Sequence, residues 1–455
     1  MEQIEEPGEL LTRVAAIDVA KDTGMVCTRV PHESRAGRKV QKVWNVAARY
    51  DEIVALADHL RCLGIERVVL ESTADYWRIW FYLLEAAGLQ VWLINARDVK
   101  NVPGRPKTDK LDSVWLCKLN ERGMVRPSFV PPQDIRDLRA LTRLRAVLVT
   151  EGSRHRQRIE KILEDALLKV SAVLSDLFGH SGRRMLEALV AGQRSPAVLA
   201  GLADHRVHAS NRELIAALTG RFRDVHATEI GILLELIDTL QAKVERLDEE
   251  ITALIDALPG AAPVCTGCGL IGGVHAPGCD NDGELVLSLV QRLDEITGVG
   301  VTCARVIIAE LGLDVAAQFP TPAHAAAWAK LIPLANQSGA TTRPGRAGKG
   351  NRWLRAVLGA AAMATAQTKG TFLGERYRRI RRRRGKKKAM IAIARNILQI
   401  AYLLISDPGL RFQDLGADYF DTLGLKRQSH NKIRDLERLN PGMRVALVPI
   451  AASTT

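Results

Sequence analysis

Along residues 13–101, short runs of β-branched and apolar residues alternate with stretches whose apolar positions recur three and four apart. Residues 14–30, 40–46, 67–71 and 90–94 read as strands, and 51–63 and 76–87 as helices between them. Breaks near Asp22-Thr23-Gly24 and again at 32–38 make the opening strands antiparallel, whereas the later strand–helix–strand passage calls for a parallel crossover. The pattern predicts an α/β domain. A proline-containing turn at 126–132 closes it, and an almost wholly helical stretch follows. Within that stretch Ile230, Leu233, Ile237, Leu240, Val244, Leu247, Ile251, Leu254 and Leu258 alternate spacings of three and four, a coiled-coil seam of four heptads. Lys243, Glu245, Arg246, Asp248 and Glu249 beside it read as a solvated face. Pro259 ends the helix. A glycine-rich insertion at 259–283 then leads into a second region, 284–407, that reads as helical with no long strand needed. After Pro408 the tail has weak periodicity and is given no role.

Composition narrows the class. At 455 residues, with 47% hydrophobic and 25% charged, the chain has the make-up of a soluble globular protein of two or three domains. Disordered, fibrous and small disulfide-stapled classes are excluded. The net charge of +13 suggests a polyanionic partner. Its distribution sharpens that: between Arg343 and Arg395 there are seventeen Lys or Arg and one acid, Glu375, so the basicity is regional. Seven cysteines, an odd number with four scattered singly, point to a reducing compartment. The acidic N-terminus does not read as a signal peptide, and Arg395, Asn396 and Gln399 interrupt the apolar stretch 389–405, so no membrane span is expected. The expected location is cytoplasmic, nucleoid-associated when bound to DNA.

Five constellations could carry chemistry. Asp18 and Glu71 each end an apolar strand, and Asp109 and Asp112 stand three apart at a helix start, on one face. Four acids converging from two strands and a helix would make a hard-oxygen cage suited to Mg²⁺ or Mn²⁺. Each alone has an ordinary reading, Asp109 as a helix cap and Asp112 as a surface residue; their order and spacing set them apart. Ser338 lies in a loop, Asn336-Gln-Ser-Gly, ahead of Arg343, Arg346, Lys349, Arg352 and Arg355, whose cations could hold a phosphate near its hydroxyl. A serine there is also an ordinary turn residue, and no Ser-His-Asp pattern surrounds it. Gly298 and Gly300, in Ile296-Thr-Gly-Val-Gly, open a helix as in helix-hairpin-helix modules that bind DNA phosphate; a turn needing small residues fits equally. Arg376, Arg378, Arg379, Arg381, Arg382, Arg383, Arg384, Lys386, Lys387 and Lys388 form an acid-free run that favours nucleic-acid phosphate contact. Tyr377 is its only aromatic, so no base-stacking platform is indicated. Cys265, Cys268, His275 and Cys279 fit either a structural zinc site or a loop with reduced thiols.

Taken in order, these residues resemble the insertion-sequence-110 family of transposases, also called DEDD transposases, which includes Piv-type DNA invertases. The likeness covers most of 13–405. It rests on Ala15-Ala-Ile-Asp-Val-Ala-Lys, Leu70-Glu-Ser-Thr-Ala-Asp-Tyr-Trp and the stretch from Asn95 to Asp112. It continues through Ser128-Phe-Val-Pro-Pro with Arg136, Arg139 and Arg143, then Ile296-Thr-Gly-Val-Gly and Asn336-Gln-Ser-Gly, and ends with Gly350-Asn-Arg-Trp-Leu-Arg and Arg384-Gly-Lys-Lys-Lys. The resemblance implies a RuvC-like, RNase-H-type α/β domain (10–128) whose metal ligands are Asp18, Glu71, Asp109 and Asp112. It implies a helical coiled-coil region (129–258) and a mainly helical transposase domain (284–407) holding Ser338 as nucleophile. It further implies a composite site across subunits of a homo-oligomer and, in some members, an element-encoded guide RNA. The cysteine-rich insertion (259–283) departs from the family pattern, and the tail (408–455) stays without a role. The leading expectation is a metal-dependent transposase that cuts and rejoins DNA through a serine ester. Two alternatives are a RuvC-like nuclease with no covalent intermediate and a non-enzymatic nucleic-acid-binding protein.

Overall fold

A computed structural model describes residues 11–35, 37–71, 74–95, 108–263, 265, 268, 279, 287–333, 335–338, 341–345 and 348–446; at 109, 335–338, 341–344 and 424–428 the description is of the backbone. The chain divides into two compact units, Met1–Pro131 and Pro132–Thr455.

In the first unit β1 (Val14–Val19), β2 (Thr23–Pro31), β3 (Lys39–Ala47), β4 (Arg67–Glu71) and β5 (Val91–Ile94) form one sheet in the order β3-β2-β1-β4-β5. β1–β2 and β2–β3 are antiparallel; β1–β4 and β4–β5 are parallel. The parallel pairs are joined through α1 (Tyr50–Cys62) and α2 (Trp77–Ala86), because parallel neighbours need a crossover. Strand alternation sorts the core. Ala15, Ile17, Val19, Val68 and Leu70 pack with Ile53, Leu56 and Leu60 of α1 and Trp80 and Leu84 of α2. Val14, Ala16 and Val69 pack on the other face with Leu116 and Cys117 of α3 (Asp109–Glu121). Gly24 is required where the buried Trp80 ring crosses β2, since a Cβ there would lie 2.8 Å from the ring.

The second unit begins with α4 (Gln133–Asp165), which packs along α9 (Asp224–Asp256). The pair is antiparallel: Arg145 meets Asp248, whereas Asp165 meets His226. Four short helices fill the far end: α5 (Val170–Val173), α6 (His180–Val190), α7 (Pro196–Ala200) and α8 (Asn211–Leu218). Met185, Leu189, Leu199, Leu214 and Leu218 share a core there with Ile230, Leu234 and Ile237.

The rest of the described chain comprises α10 (Leu289–Asp294), α11 (Val301–Leu311), α12 (Val315–Gln318), α13 (Pro322–Trp328), the hairpin β6 (Ala335–Ser338) with β7 (Thr341–Pro344), α14 (Arg352–Gln367), α15 (Phe372–Arg384), α16 (Lys386–Ser406) and α17 (Tyr419–Leu439). α16 is the core helix, with α10, α12, α13, α14 and α15 packed against it. By length and composition Lys386–Ser406 could cross a membrane, but Ala389, Ile393, Ile397, Leu398 and Ala401 are buried inside this helical layer.

Three features are not legible in the sequence. The apolar seam of α9 is covered along one column by α4 of the same chain: Ile230, Ile237, Val244, Ile251 and Leu258 are buried, while Leu233, Leu240, Leu247 and Leu254 stay half-buried. Ser338 ends a strand rather than lying in a free loop; four residues per strand are too few for alternation to declare itself. The tail forms α17, whose Phe420 stacks on Phe372 with ring centroids 5.0 Å apart, a contact no local periodicity announces.

Candidate active site

Asp18 of β1 pairs in register with Glu71 of β4. Alternation puts both positions on the sheet face that carries Val14, Ala16 and Val69, the face covered by α3. α3 runs antiparallel to β1, because Leu11 N–H donates to the Glu121 carbonyl (3.1 Å) and the Cys117 thiol to the Val14 carbonyl (3.6 Å). Asn120 Nδ2 clamps helix to sheet by donating to the carbonyls of Ala15 (3.1 Å) and Arg67 (3.2 Å). Asp112 lies about two turns before Asn120, toward the end of α3 that faces the C-terminal ends of β1 and β4, and Asp109 lies one turn before it. Thr108 caps the helix, its Oγ1 accepting from Leu111 N–H (3.3 Å), so the cap is Thr108 and not Asp109. Asp18, Glu71 and Asp112 are all half-buried. Their all-oxygen donor set fits a hard divalent cation.

In the second unit Ser338 pairs with Thr341, and Asn336 with Arg343. This register sets Asn336, Ser338, Thr341 and Arg343 on one face of the hairpin. Both ends of the hairpin are anchored. On entry Leu331 is buried and its N–H donates to the Ala326 carbonyl (3.0 Å). On exit Asn351 Oδ1 caps α14 by accepting from the N–H groups of Trp353 (3.0 Å) and Leu354 (3.2 Å), while its Nδ2 donates to Glu310 Oε2 (2.6 Å).

Glu310, fully buried in α11, is a residue that sequence reasoning misses. Arg143 donates to it in a bidentate pair (2.8 and 2.8 Å), and Arg139 donates to the backbone carbonyls of Ala309 (2.7 Å) and Glu310 (2.5 Å). Burial pulls the Arg139 guanidinium down to about 10 even though Glu310 opposes the shift. A glutamate inside the apolar run 301–311 is the one signal in the sequence; its partners lie some 170 positions away, beyond the reach of local pattern. A second network lies nearby, with Asp248 of α9 accepting from Arg145 (2.7 and 2.9 Å) and Arg305 (3.0 Å).

The basic candidates divide. Arg379, Arg381–Arg384 and Lys386–Lys388 are exposed where α15 ends and α16 begins, separated by Gly385. Arg376, Arg379, Arg383 and Arg384 line a groove of about 390 Å³ with Ile380 and Phe420, so the tail brings an aromatic to a run that has none exposed; Tyr377 itself is buried. Arg355 and Arg378 have internal work: Arg355 donates to the carbonyls of Gly348 (2.5 Å) and Lys349 (2.7 Å), and Arg378 to Glu375 (3.0 Å) and the Thr368 carbonyl (2.6 Å). Arg352 sits 4.4 Å over the Trp353 ring, and Lys349 is exposed. Arg343 is placed by its backbone, and Arg346 lies outside the described residues.

Gly298, with φ +86°, approaches α14 so closely that a Cβ would lie 2.3 Å from Thr365 Oγ1, which gives it a packing role. Gly300 has open space around it and precedes the first turn of α11, which no side chain caps. The sulfurs of Cys265, Cys268 and Cys279 lie within 4.8 Å of one another; His275 lies outside the described residues.

A carboxylate-bearing α/β unit followed by a helical unit with a concentrated basic surface defines a class, an enzyme that processes nucleic acid. Two family models specify it: a transposase model of the DEDD, IS110 type matches residues 15–167, and the Transposase IS116/IS110/IS902 family model matches 290–378, together more than half of the chain. The chain belongs to the IS110 family of transposases, enzymes that cut and rejoin DNA. DEDD transposase domains are typically dependent on a divalent metal. No curated protein matches the chain.

Proposed function

We propose that this transposase breaks and rejoins DNA through a serine ester, with Ser338 as nucleophile and with Asp18, Glu71, Asp109 and Asp112 holding Mg²⁺ or Mn²⁺. The observation that carries the reading is the in-register pairing of Asp18 with Glu71 on the sheet face that α3, the helix of Asp109 and Asp112, covers. The strand order β3-β2-β1-β4-β5, three antiparallel strands followed by two parallel ones, supports an RNase-H-type, RuvC-like unit. When bound, the cation supplies positive charge at a scissile phosphate.

The chain's own residues do the rest. Ser338 Oγ loses its proton and bonds to phosphorus; the bond from phosphorus to the leaving strand's oxygen breaks, and that oxygen takes up a proton. The phosphoseryl ester conserves the phosphoester bond, and attack by the hydroxyl of another strand end reforms DNA and returns the serine. Arg343, sharing the hairpin face, suits the phosphate's negative charge. The exposed cations of 379–388 and the uncapped start of α11 at Gly300 supply sequence-independent contact to DNA and to an element-encoded guide RNA. The half-buried column Leu233, Leu240, Leu247 and Leu254, with exposed Ile232, Leu236, Leu144 and Val147 on the same two helices, suits a homo-oligomer.

The test compares wild type, Ser338→Ala and Asp18→Asn on labelled element ends with any RNA the element encodes, adducts being read on a denaturing gel. Wild type forms a protein–DNA adduct, Ser338→Ala forms none yet still binds Mn²⁺, and Asp18→Asn binds Mn²⁺ weakly and cuts nothing. Free ends without an adduct from wild type would favour the nuclease alternative, and an adduct from Ser338→Ala would move the nucleophile elsewhere.

A further inference from the structure

We propose that Cys265, Cys268 and Cys279 bind one zinc ion through their thiolates, a structural site that cross-links the segment between α9 and α10 and is chemically separate from the carboxylates. The sulfurs of Cys265 and Cys279 are 3.6 Å apart, and all three lie within 4.8 Å of one another. A disulfide holds its sulfurs at about 2.05 Å. Two thiolates on a tetrahedral zinc, each at about 2.3 Å, stand about 3.8 Å apart. The observed separation is far from a disulfide and close to the second geometry; two hydrogen-bonded thiols reach the same spacing, so it is the convergence of the third sulfur that favours a metal. Three thiolates are also a soft donor set, which selects zinc over the hard cation that suits Asp18 and Glu71.

The surroundings give the ion a task. Leu258, Ala261 and Cys265 are buried, Cys265 at 1% exposure, so the first ligand is continuous with the core at the end of α9. Leu289 N–H donates to the Ala261 carbonyl (2.9 Å), pinning the chain where it leaves for, and returns from, the segment. Between those pins the sequence from Pro259 to Gly283 holds seven glycines, and its only large apolar side chains are Val264, Leu270, Ile271 and Val274. With so little apolar surface in that sequence to bury, a metal cross-link is a direct source of stabilisation, because its binding free energy becomes folding free energy. Cys265 and Cys268 are spaced Cys-x₂-Cys, and Cys279 returns eleven positions later. Three sulfurs leave one tetrahedral position for a further ligand, for which His275 is the sequence's candidate. Binding releases a proton from each thiol that enters as a thiolate.

The experiment measures metal in the full chain purified under reducing conditions without chelator, by elemental analysis. The expected result is about one zinc per chain, retained on dialysis. Cys265→Ser and Cys279→Ser should each lose most of it, while Cys62→Ser, which alters an exposed cysteine of the first unit, keeps it. Should the variants fail to fold, wild type loaded with Co²⁺ provides the second readout: thiolate-to-cobalt charge transfer with the intensity of three sulfurs supports the site. Metal-free protein whose three thiols react freely in the native state, or one with a Cys265–Cys279 disulfide, overturns it.

Discussion

Glu121 shows how one side chain's setting becomes a pH dependence. Burial alone would raise its pKa, but Arg29 (2.9 Å) and Lys39 (3.2 Å) outweigh that and hold it below the ordinary 4.5. Because the folded state binds the proton less readily than the unfolded chain, the stabilisation is complete above about 4.5 and fades as the pH falls through the lowered folded value. Glu121→Gln should therefore cost about 1 kcal/mol in urea melts at pH 7, with the gap to wild type closing in acid. A gap that persists at pH 2 would mean that lost packing, not charge, is responsible. Glu310 is the stronger case. Glu310→Gln leaves Arg143 and the buried Arg139 facing a neutral amide, and the expected loss is about 3 kcal/mol. Asn351→Ala removes a cap and a bond to Glu310, with an expected loss of about 1 to 2 kcal/mol. Unaltered unfolding midpoints for both would show that the hairpin's exit needs no such anchor.

At the scale of elements, legibility follows how local each signal is. The five strands and two crossover helices of the first unit are readable because period-two and period-3.6 patterns are written within each segment, and Asp18 and Glu71 interrupt apolar strand ends. The hairpin of Ser338 is not readable, being too short for a period, nor is α17, whose anchor is Phe420 on Phe372 far back in the chain. The seam of α9 is readable as a stripe, but a stripe does not name its partner, and α4 of the same chain covers half of it. That division yields a prediction. Ile237→Asp puts a charge into a site 5% exposed and should destabilise the helix pair by about 3 kcal/mol or more. Leu240→Glu with Leu247→Glu, on the half-buried column, should leave the melting temperature near wild type yet lower the mass seen by light scattering. An unchanged mass would confine the seam's role to its own chain.

For the whole molecule, charge is the property that no single contact describes. The net +13 is concentrated where α15 meets α16, and eight of the ten cations between 376 and 388 are exposed. Four arginines end α15, where the carbonyl end of the helix dipole favours them. Three lysines begin α16 at its positive end, where the dipole opposes them, so helix stability alone does not account for their placement. An anion at that junction would relieve the repulsion, and a DNA or RNA backbone carries anions at regular intervals. Replacing Arg382, Arg383, Lys386 and Lys387 with glutamine should therefore weaken binding to unrelated duplexes by similar factors. If all four touch phosphates, the slope of log affinity against log salt should shrink by about 0.9 for each phosphate no longer neutralised. Arg378→Gln is the informative control. Its guanidinium already serves Glu375 and the Thr368 carbonyl, so its loss should lower the melting temperature more than the salt slope. A fourfold variant with wild-type affinity and slope would assign the run to solvation, and binding lost on one sequence but kept on others would show base readout instead of backbone contact.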